Sequence, residues 1–158
     1  MISYPDRPRV VFDCNVLLQA SANETGPSGH ALRLLEENRI EVFVSRAVLK
    51  ELRTVMCYPS VREKFPGLDD QSINLFVQQL AFRATMLRRV RHVFDYPRAK
   101  QDEPYIDLAA AARAKYLVTR DKDLLALATD HSLIGKQFRQ RFPQIRVLNP
   151  VTFLEIVT

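Results

Sequence analysis

The sequence predicts an α/β domain built on a mainly parallel β-sheet. Short runs of β-branched and aromatic residues alternate with longer segments whose apolar residues repeat at helical spacing. The first run, Val10-Val11-Phe12, is apolar throughout, which is typical of a strand buried on both faces of a parallel sheet. Right-handed crossovers between such strands place helices on both faces.

Five segments carry the short β-branched or aromatic pattern of strands. They are residues 9–14, 41–44, 90–94, 116–119 and 145–148. Seven segments carry helical patterns: 27–38, 46–57, 60–65, 71–88, 104–115, 121–129 and 151–157. Ser45 is a plausible N-cap for the second of them. Residues 96–101 contain Pro97 and are predicted to form a loop, while residues 130–143 have no clear pattern.

Length and composition indicate one domain covering residues 1–158. The chain is 47% hydrophobic and 26% charged, as soluble globular proteins are. No apolar stretch reaches the roughly 18 residues that a membrane span needs, and no signal-peptide core is visible, so we expect a cytoplasmic protein. Cys14 and Cys57 lie in apolar contexts and are predicted to be buried free thiols. The cysteines and histidines show no zinc-ligand spacing.

The net charge of +5 and the pI of about 9.5 are weak evidence for a nucleic-acid partner. The evidence is stronger because the basic residues cluster, although a solvated surface would explain each cluster as well. One group holds Arg83, Arg88, Arg89, Arg91, Arg98 and Lys100, and the other holds Lys136, Arg139, Arg141 and Arg146.

Asp13 follows the first apolar run and has no basic residue close after it. Burying a carboxylate without a cation costs several kcal/mol. Its position at the carboxyl end of a strand is where open α/β sheets bind ligands. Asp13 is therefore predicted to be a metal ligand or a catalytic acid.

Further acids are predicted at the same edge. Glu51 lies on or beside the apolar stripe of its helix, although an exposed Glu paired with Lys50 or Arg53 would also fit. Asp102 and Glu103 precede Pro104 at a helix start, where either could be a cap or a ligand. Asp107 follows one turn later and could face the site or favour the helix dipole.

Asp121 and Asp123 flank Lys122 after the fourth predicted strand, and one of them is expected to cap the next helix. Three or four carboxylates at one edge repel one another unless a divalent cation is bound. Oxygen ligands select Mg²⁺ or Mn²⁺, which activate water and stabilise the charge that develops at phosphorus when a phosphodiester is cleaved.

These residues resemble the PIN-domain family of metal-dependent nucleases. The resemblance covers Val10 to about Pro150 and rests on four blocks: 12–17, 44–52, 102–109 and 116–125. It is closest to the bacterial and archaeal branch of toxins from toxin–antitoxin pairs. It implies a three-layer α/β/α sandwich around a five-stranded parallel sheet of order 3-2-1-4-5.

The resemblance also implies roles for individual residues. The four catalytic and metal-binding acids would be Asp13, Glu51, Asp102 and Asp121, with Asp102 or Glu103 open as the third ligand. Supporting roles fall to Asn15, Thr119 and Asp107; Asn15 and Thr119 would hydrogen-bond the first and fourth acids. Cys14 stands where a Thr or a small residue is more usual.

The resemblance therefore predicts a ribonuclease that uses Mg²⁺ or Mn²⁺ to cleave single-stranded or loop RNA. Arg46, Arg120 and Lys122 adjoin the acidic edge and are predicted to contact RNA phosphates. A cognate antitoxin and a homodimer are the expected partners, with the predicted helix 71–88 as a candidate surface.

Three alternatives remain at this point. A haloacid-dehalogenase-like phosphatase would need a second Asp where Asn15 stands. A structure-specific DNA nuclease would need more acids and a long helical arch, for which 158 residues leave little room. A non-catalytic RNA-binding or scaffold domain would not need all four acids.

Overall fold

The computed structural model describes residues 6–158, so the first five residues of the predicted domain lie outside the described part. Five parallel strands form one sheet in the order β3-β2-β1-β4-β5. The strands are β1 (Arg9–Phe12), β2 (Glu41–Ser45), β3 (Thr85–Leu87), β4 (Tyr116–Val118) and β5 (Arg146–Leu148). Helices lie on both sides of the sheet, which confirms the predicted fold class and strand order.

The helices mostly begin at a side chain that caps them. Asp13, Ser45, Asp69, Asp121, Ser132 and Asn149 each accept a hydrogen bond from a backbone N–H of the following first turn. The helices are α1 (Cys14–Ala22), α2 (Pro27–Glu36), α3 (Arg46–Met56), α4 (Pro59–Lys64), α5 (Asp70–Arg83), α6 (Glu103–Ala111), α7 (Lys122–Thr129), α8 (Leu133–Arg141) and α9 (Pro150–Val157). A 3₁₀ helix covers Pro97–Asp102, where the sequence predicted a loop at residues 96–101.

The third strand was predicted in the wrong place. The apolar spacing that suggested a helix as far as residue 88 includes Leu87, but α5 ends at Arg83 because Ala84 is extended. Thr85–Leu87 then pairs with Phe43–Ser45 at the edge of the sheet. Val90 and Val93 pack against the core without belonging to a strand.

Three other local predictions were incomplete or wrong. The helix α1 follows Asp13 directly and had not been predicted, whereas residues 133–141, which showed no clear pattern, form α8. Cys14 is a buried free thiol as predicted, but Cys57 is exposed, because it lies where α3 ends and the chain turns outward into Tyr58. Among residues 6–158, the helices are all too short or too polar to cross a bilayer.

The core is centred on β1 and β4, whose residues are buried except for Arg9, and α9 packs on one face of them. The Phe153 ring meets Phe12 at a centroid distance of 6.0 Å and Tyr116 at 5.5 Å, both edge to face. Because Phe153 is fully buried, this contact fastens α9 onto the two strands whose carboxyl ends carry the acids.

We predict that Phe153→Ala lowers the free energy of unfolding by about 3–5 kcal/mol, because it removes a buried ring from the sheet and leaves a cavity. Urea unfolding followed by circular dichroism measures the change. Phe82→Ala is the matched control, since that ring is 89% exposed and its loss should change the value by less than about 0.5 kcal/mol. Equal effects of the two substitutions would contradict this packing.

Candidate metal centre

Asp13 and Thr119 stand side by side at the carboxyl edge of the sheet. Phe12 pairs with Val118 in the register of β1 and β4, and the next residue of each strand begins the site. The Asp13 N–H donates to the Val118 carbonyl at 3.1 Å, so a backbone hydrogen bond joins the ends of the two strands at this point.

Both carboxylate oxygens of Asp13 accept hydrogen bonds. The Val16 N–H donates to Oδ1 at 2.9 Å, which caps α1, and the Thr119 hydroxyl donates to Oδ2. Asp13 is nevertheless only 4% exposed. Burial raises its pKa to about 6, against the opposing effect of these hydrogen bonds.

Thr119 connects Asp13 to Asp121. Its hydroxyl oxygen accepts a hydrogen bond from the Asp121 N–H at 2.9 Å while its proton is donated to Asp13. Asp121 then caps α7 through Oδ1, which accepts from the Asp123 N–H at 2.8 Å. A single fully buried side chain thus positions the first and fourth predicted acids.

Asp102 precedes α6 and is buried beside Asp121. Its Oδ2 has no hydrogen-bond partner among the described residues. Burial, together with the Asp121 carboxyl and then Asp13, raises the pKa of Asp102 to about 8. Asp102, Asp121 and Asp123 each offer an oxygen within 4.8 Å of the other two, close enough to share one ion.

Asp123 is a residue of this group that the sequence did not assign to the site. The sequence suggested that one of Asp121 and Asp123 caps the helix and leaves the other for the chemistry of the site, and the resemblance then selected Asp121. Asp121 is the cap and still reaches the cluster, while Asp123 Oδ1 lies 2.8 Å from Arg98 Nε. The pair of acids around Lys122 was the signal in the sequence that Asp123 could belong to the site. Its ion-pair partner Arg98 is 25 positions away and was not predictable from spacing.

Glu51 lies apart from that close group of three oxygens. It is half-buried on α3, which packs against α6, and burial raises the pKa of its carboxyl while the neighbouring Tyr105 hydroxyl opposes the rise. Glu51 has no ion pair with Lys50, Arg53 or another described residue. Electrostatic interactions of Cys14 with both Glu51 and Asp13 show that the two acids border the same region.

Glu103 and Asp107 are directed toward the segment before the 3₁₀ helix. Glu103 Oε2 accepts from the Tyr96 N–H at 2.6 Å, so Asp102 rather than Glu103 belongs to the acidic group. Asp107 Oδ1 accepts from the Val93 N–H at 2.9 Å, and Oδ2 lies 2.8 Å from His92 Nδ1. Asp107 and Asp95 raise the pKa of His92 to about 9, so the imidazolium offsets part of the negative charge of this second cluster.

Asn15 is exposed, and its side chain makes no hydrogen bond among the described residues. Its backbone N–H lowers the pKa of Asp13 slightly, whereas side-chain support comes from Thr119.

The three basic residues predicted to contact RNA are exposed at this edge. Arg46 follows β2, and Arg120 and Lys122 follow β4. Arg120 donates to the Gln19 side chain. Two members of the basic groups have structural partners instead: Arg139 donates to the carbonyls of Leu127 and Asp130, and Arg98 pairs with Asp123 and Asp130.

The donor set fits a divalent cation. Within residues 6–158, Asp13, Asp102 and Asp121 have no basic partner within salt-bridge distance, and one buried Asp102 oxygen is left without a hydrogen bond. A cation with oxygen ligands, such as Mg²⁺ or Mn²⁺, would relieve both the repulsion and the unpaired oxygen. The acids come from three places in the chain that only the fold brings together.

Comparison with known proteins agrees with this arrangement. Residues 9–123 match the family model described as PIN domain. The chain is also 27% identical over 148 residues to Uncharacterized protein MJ1680 of Methanocaldococcus jannaschii, and the alignment covers 93% of this chain and 90% of that protein.

We predict that Thr119→Val destabilises the fold by about 1–3 kcal/mol, because it leaves an Asp13 oxygen and the Asp121 N–H without their partner. Urea unfolding with EDTA present measures the loss. Asn15→Ala, which changes another of the three predicted supporting residues, should alter stability by less than about 0.5 kcal/mol. Comparable losses in both variants would refute the bridging role of Thr119.

The raised pKa values predict a pH dependence of stability without metal. The folded pKa values of about 6 for Asp13 and about 8 for Asp102 lie above the ordinary 3.8. At pH values between 3.8 and these folded values, the folded state therefore binds more protons than the unfolded state. Their contribution is full below about pH 4 and is lost as the pH rises toward 8. In EDTA, Asp102→Asn should therefore be more stable than the parent chain at pH 8 and similar to it at pH 4.

Urea midpoints of the parent and Asp102→Asn chains at several pH values between 4 and 8 measure this difference. Saturating Mn²⁺ should reverse the trend in the parent chain, since the ion binds the deprotonated acids. A stability difference between the parent and Asp102→Asn chains that does not grow with pH would show that Asp102 does not have a raised pKa.

Proposed function

Because the chain belongs to the PIN domain family, whose members are generally nucleases, we propose that it is a metal-dependent endoribonuclease. The observation that carries the proposal is the group of carboxylates at the carboxyl edge of the sheet, in which Asp13 and Asp102 are buried, Asp121 and Asp123 are half-buried, and one Asp102 oxygen is unpaired. Such a group is costly in a folded chain unless it binds a cation. The proposed ion is Mg²⁺ or Mn²⁺.

The proposed ligands are Asp13, Glu51, Asp102 and Asp121. When bound, the ion would supply activation of water and stabilisation of the charge that develops at phosphorus. Thr119 holds Asp13 in place and fixes the start of the segment that carries Asp121. Arg98 holds Asp123 through an ion pair, so that this carboxylate adds less negative charge to the site.

We propose single-stranded or loop RNA as the substrate. Arg46, Arg120 and Lys122 are exposed beside the acids and would bind phosphates on either side of the cleaved bond. Exposed bases of single strands and loops are the usual targets of sequence-specific RNA recognition. The exposed basic residues and the net charge of +5 support a polyanionic substrate.

We further propose that the protein is the toxin of a cytoplasmic toxin–antitoxin pair and that it forms a homodimer. The resemblance of the four sequence blocks supports the toxin assignment. The outer face of α5 supports self-association, because Leu75 is 54% exposed and Phe82 is 89% exposed on it. A short neighbouring reading frame that encodes a DNA-binding antitoxin would support the pair.

We predict that Asp13→Asn abolishes Mn²⁺-dependent cleavage of RNA while the chain stays folded. Asparagine still caps a helix well but cannot supply the charged ligand. Cleavage of a labelled RNA that contains single-stranded loops is measured with Mn²⁺ and with EDTA. Asp70→Asn is the matched control, since that carboxylate is 83% exposed at the start of α5 and should leave cleavage unchanged.

Each outcome of this assay separates a different alternative. Cleavage of single-stranded DNA but not RNA would replace the ribonuclease with a DNA nuclease. Mn²⁺ binding in calorimetry without cleavage of either polymer would reject the proposed catalysis, and absence of Mn²⁺ binding would favour an RNA-binding scaffold. Full activity of purified Asp13→Asn would show that the assigned acid is wrong.

A further inference from the structure

Tyr105 is a buried polar residue next to the acids. Neither the sequence nor the family match assigned Tyr105 to the site. It lies in the first turn of α6 and is 2% exposed, yet its hydroxyl makes no hydrogen bond of ordinary geometry within the described part of the chain. A buried hydroxyl left unpaired costs about 1–3 kcal/mol. An unpaired hydroxyl at this position points to a partner that accepts its hydrogen bond during function.

The neighbours of the Tyr105 hydroxyl are side chains of the candidate metal centre. It interacts with Glu51, Cys14 and Asp13, which come from α3, from the start of α1 and from the end of β1. The packing of α3 against α6 and of α6 against β1 brings these segments together. Tyr105 thus neighbours both Glu51 and Asp13.

Only one of these neighbours has a free strong acceptor. Both Asp13 oxygens already accept hydrogen bonds, from Val16 and Thr119. The Cys14 sulfur is a weak hydrogen-bond acceptor. The Glu51 carboxylate has no ion pair within residues 6–158 and is the remaining acceptor for the Tyr105 proton.

Glu51, like Asp102, is a proposed ligand that no hydrogen bond of ordinary geometry holds in place among the described residues. Asp13 is held by two hydrogen bonds and Asp121 by its capping bond, whereas the longer Glu51 side chain has more rotamers to restrict. Hydrogen bonds from residues behind the ligands commonly change metal affinity or activity by about 10–100-fold.

We propose that Tyr105 is a positioning residue of this centre: its hydroxyl donates to the Glu51 carboxylate and holds that side chain toward Asp13 when the divalent cation is bound. The inference rests on the proposed metal-dependent function. Tyr105 acts through Glu51 and does not touch the scissile bond. Among the described residues the hydroxyl has no hydrogen bond of ordinary geometry, and the proposed bond to Glu51 would supply one.

The test is Tyr105→Phe, examined with and without metal. In EDTA the variant should be as stable as the parent chain or more stable, because it removes an unpaired buried hydroxyl. Its Mn²⁺ affinity in calorimetry, and its rate of RNA cleavage, should fall by about tenfold or more. Tyr116→Phe, which changes a buried tyrosine on β4, is the control that should keep the parent's Mn²⁺ affinity.

A double-mutant cycle then asks whether Tyr105 acts through Glu51. Glu51→Ala should weaken Mn²⁺ binding, and Tyr105→Phe added to it should cause no further loss, since the acceptor is gone. Equal additional losses in both backgrounds would overturn the proposal, because Tyr105 would then act elsewhere.

The results distinguish this inference from the proposed function. If the parent chain binds Mn²⁺ and Tyr105→Phe binds it equally well, the positioning role is wrong and the metal site stands. If Tyr105→Phe lowers stability in EDTA and leaves Mn²⁺ affinity unchanged, the hydroxyl is merely structural. If the parent chain does not bind Mn²⁺, both proposals fail together.

Discussion

The hydrogen bonds of the Thr119 hydroxyl are the interaction on which the arrangement of the site depends. One bond reaches Asp13 at the end of β1, and the other reaches the backbone of Asp121 after β4. The two strands are neighbours in the sheet, so the bridge, whose bond from Thr119 to Asp13 spans 106 positions, connects the first acid to the last. Two helices, α1 and α7, begin at the acids that it joins.

Several interactions in the fold reduce the energetic cost of these acids. Helix N-termini favour negative charge, and Asp13 and Asp121 both cap helices. Arg98 pairs with Asp123, and Glu103 and Asp107 are occupied by the chain segment before α6. What remains uncompensated is concentrated at Asp13 and Asp102, whose pKa values are raised. The same strain that weakens the metal-free chain would favour binding of a divalent cation.

Local patterns located most elements but misplaced those decided by distant contacts. Buried strands β1 and β4 were visible because short, wholly apolar runs are typical of strands in a parallel sheet. The edge strand β3 was misplaced, since Leu87 fits a helical repeat as well as a strand and only pairing with β2 decides between them. The helix α1 was missed because its first residue, Cys14, was included in the predicted strand 9–14.

The sequence by itself determined the fold class, the order of the acidic blocks and the candidates Asp13, Glu51, Asp102 and Asp121. The fold class follows from residue type and spacing, whereas the choice of these four acids follows from the resemblance to the PIN-domain family. The tertiary structure alone decided that Asp102 rather than Glu103 joins the acidic group, that Asp123 belongs to it, and that Tyr105 neighbours both Asp13 and Glu51. The physical reason is that each choice depends on which distant segment supplies the hydrogen bond, the countercharge or the burial, and spacing along the chain carries no such information.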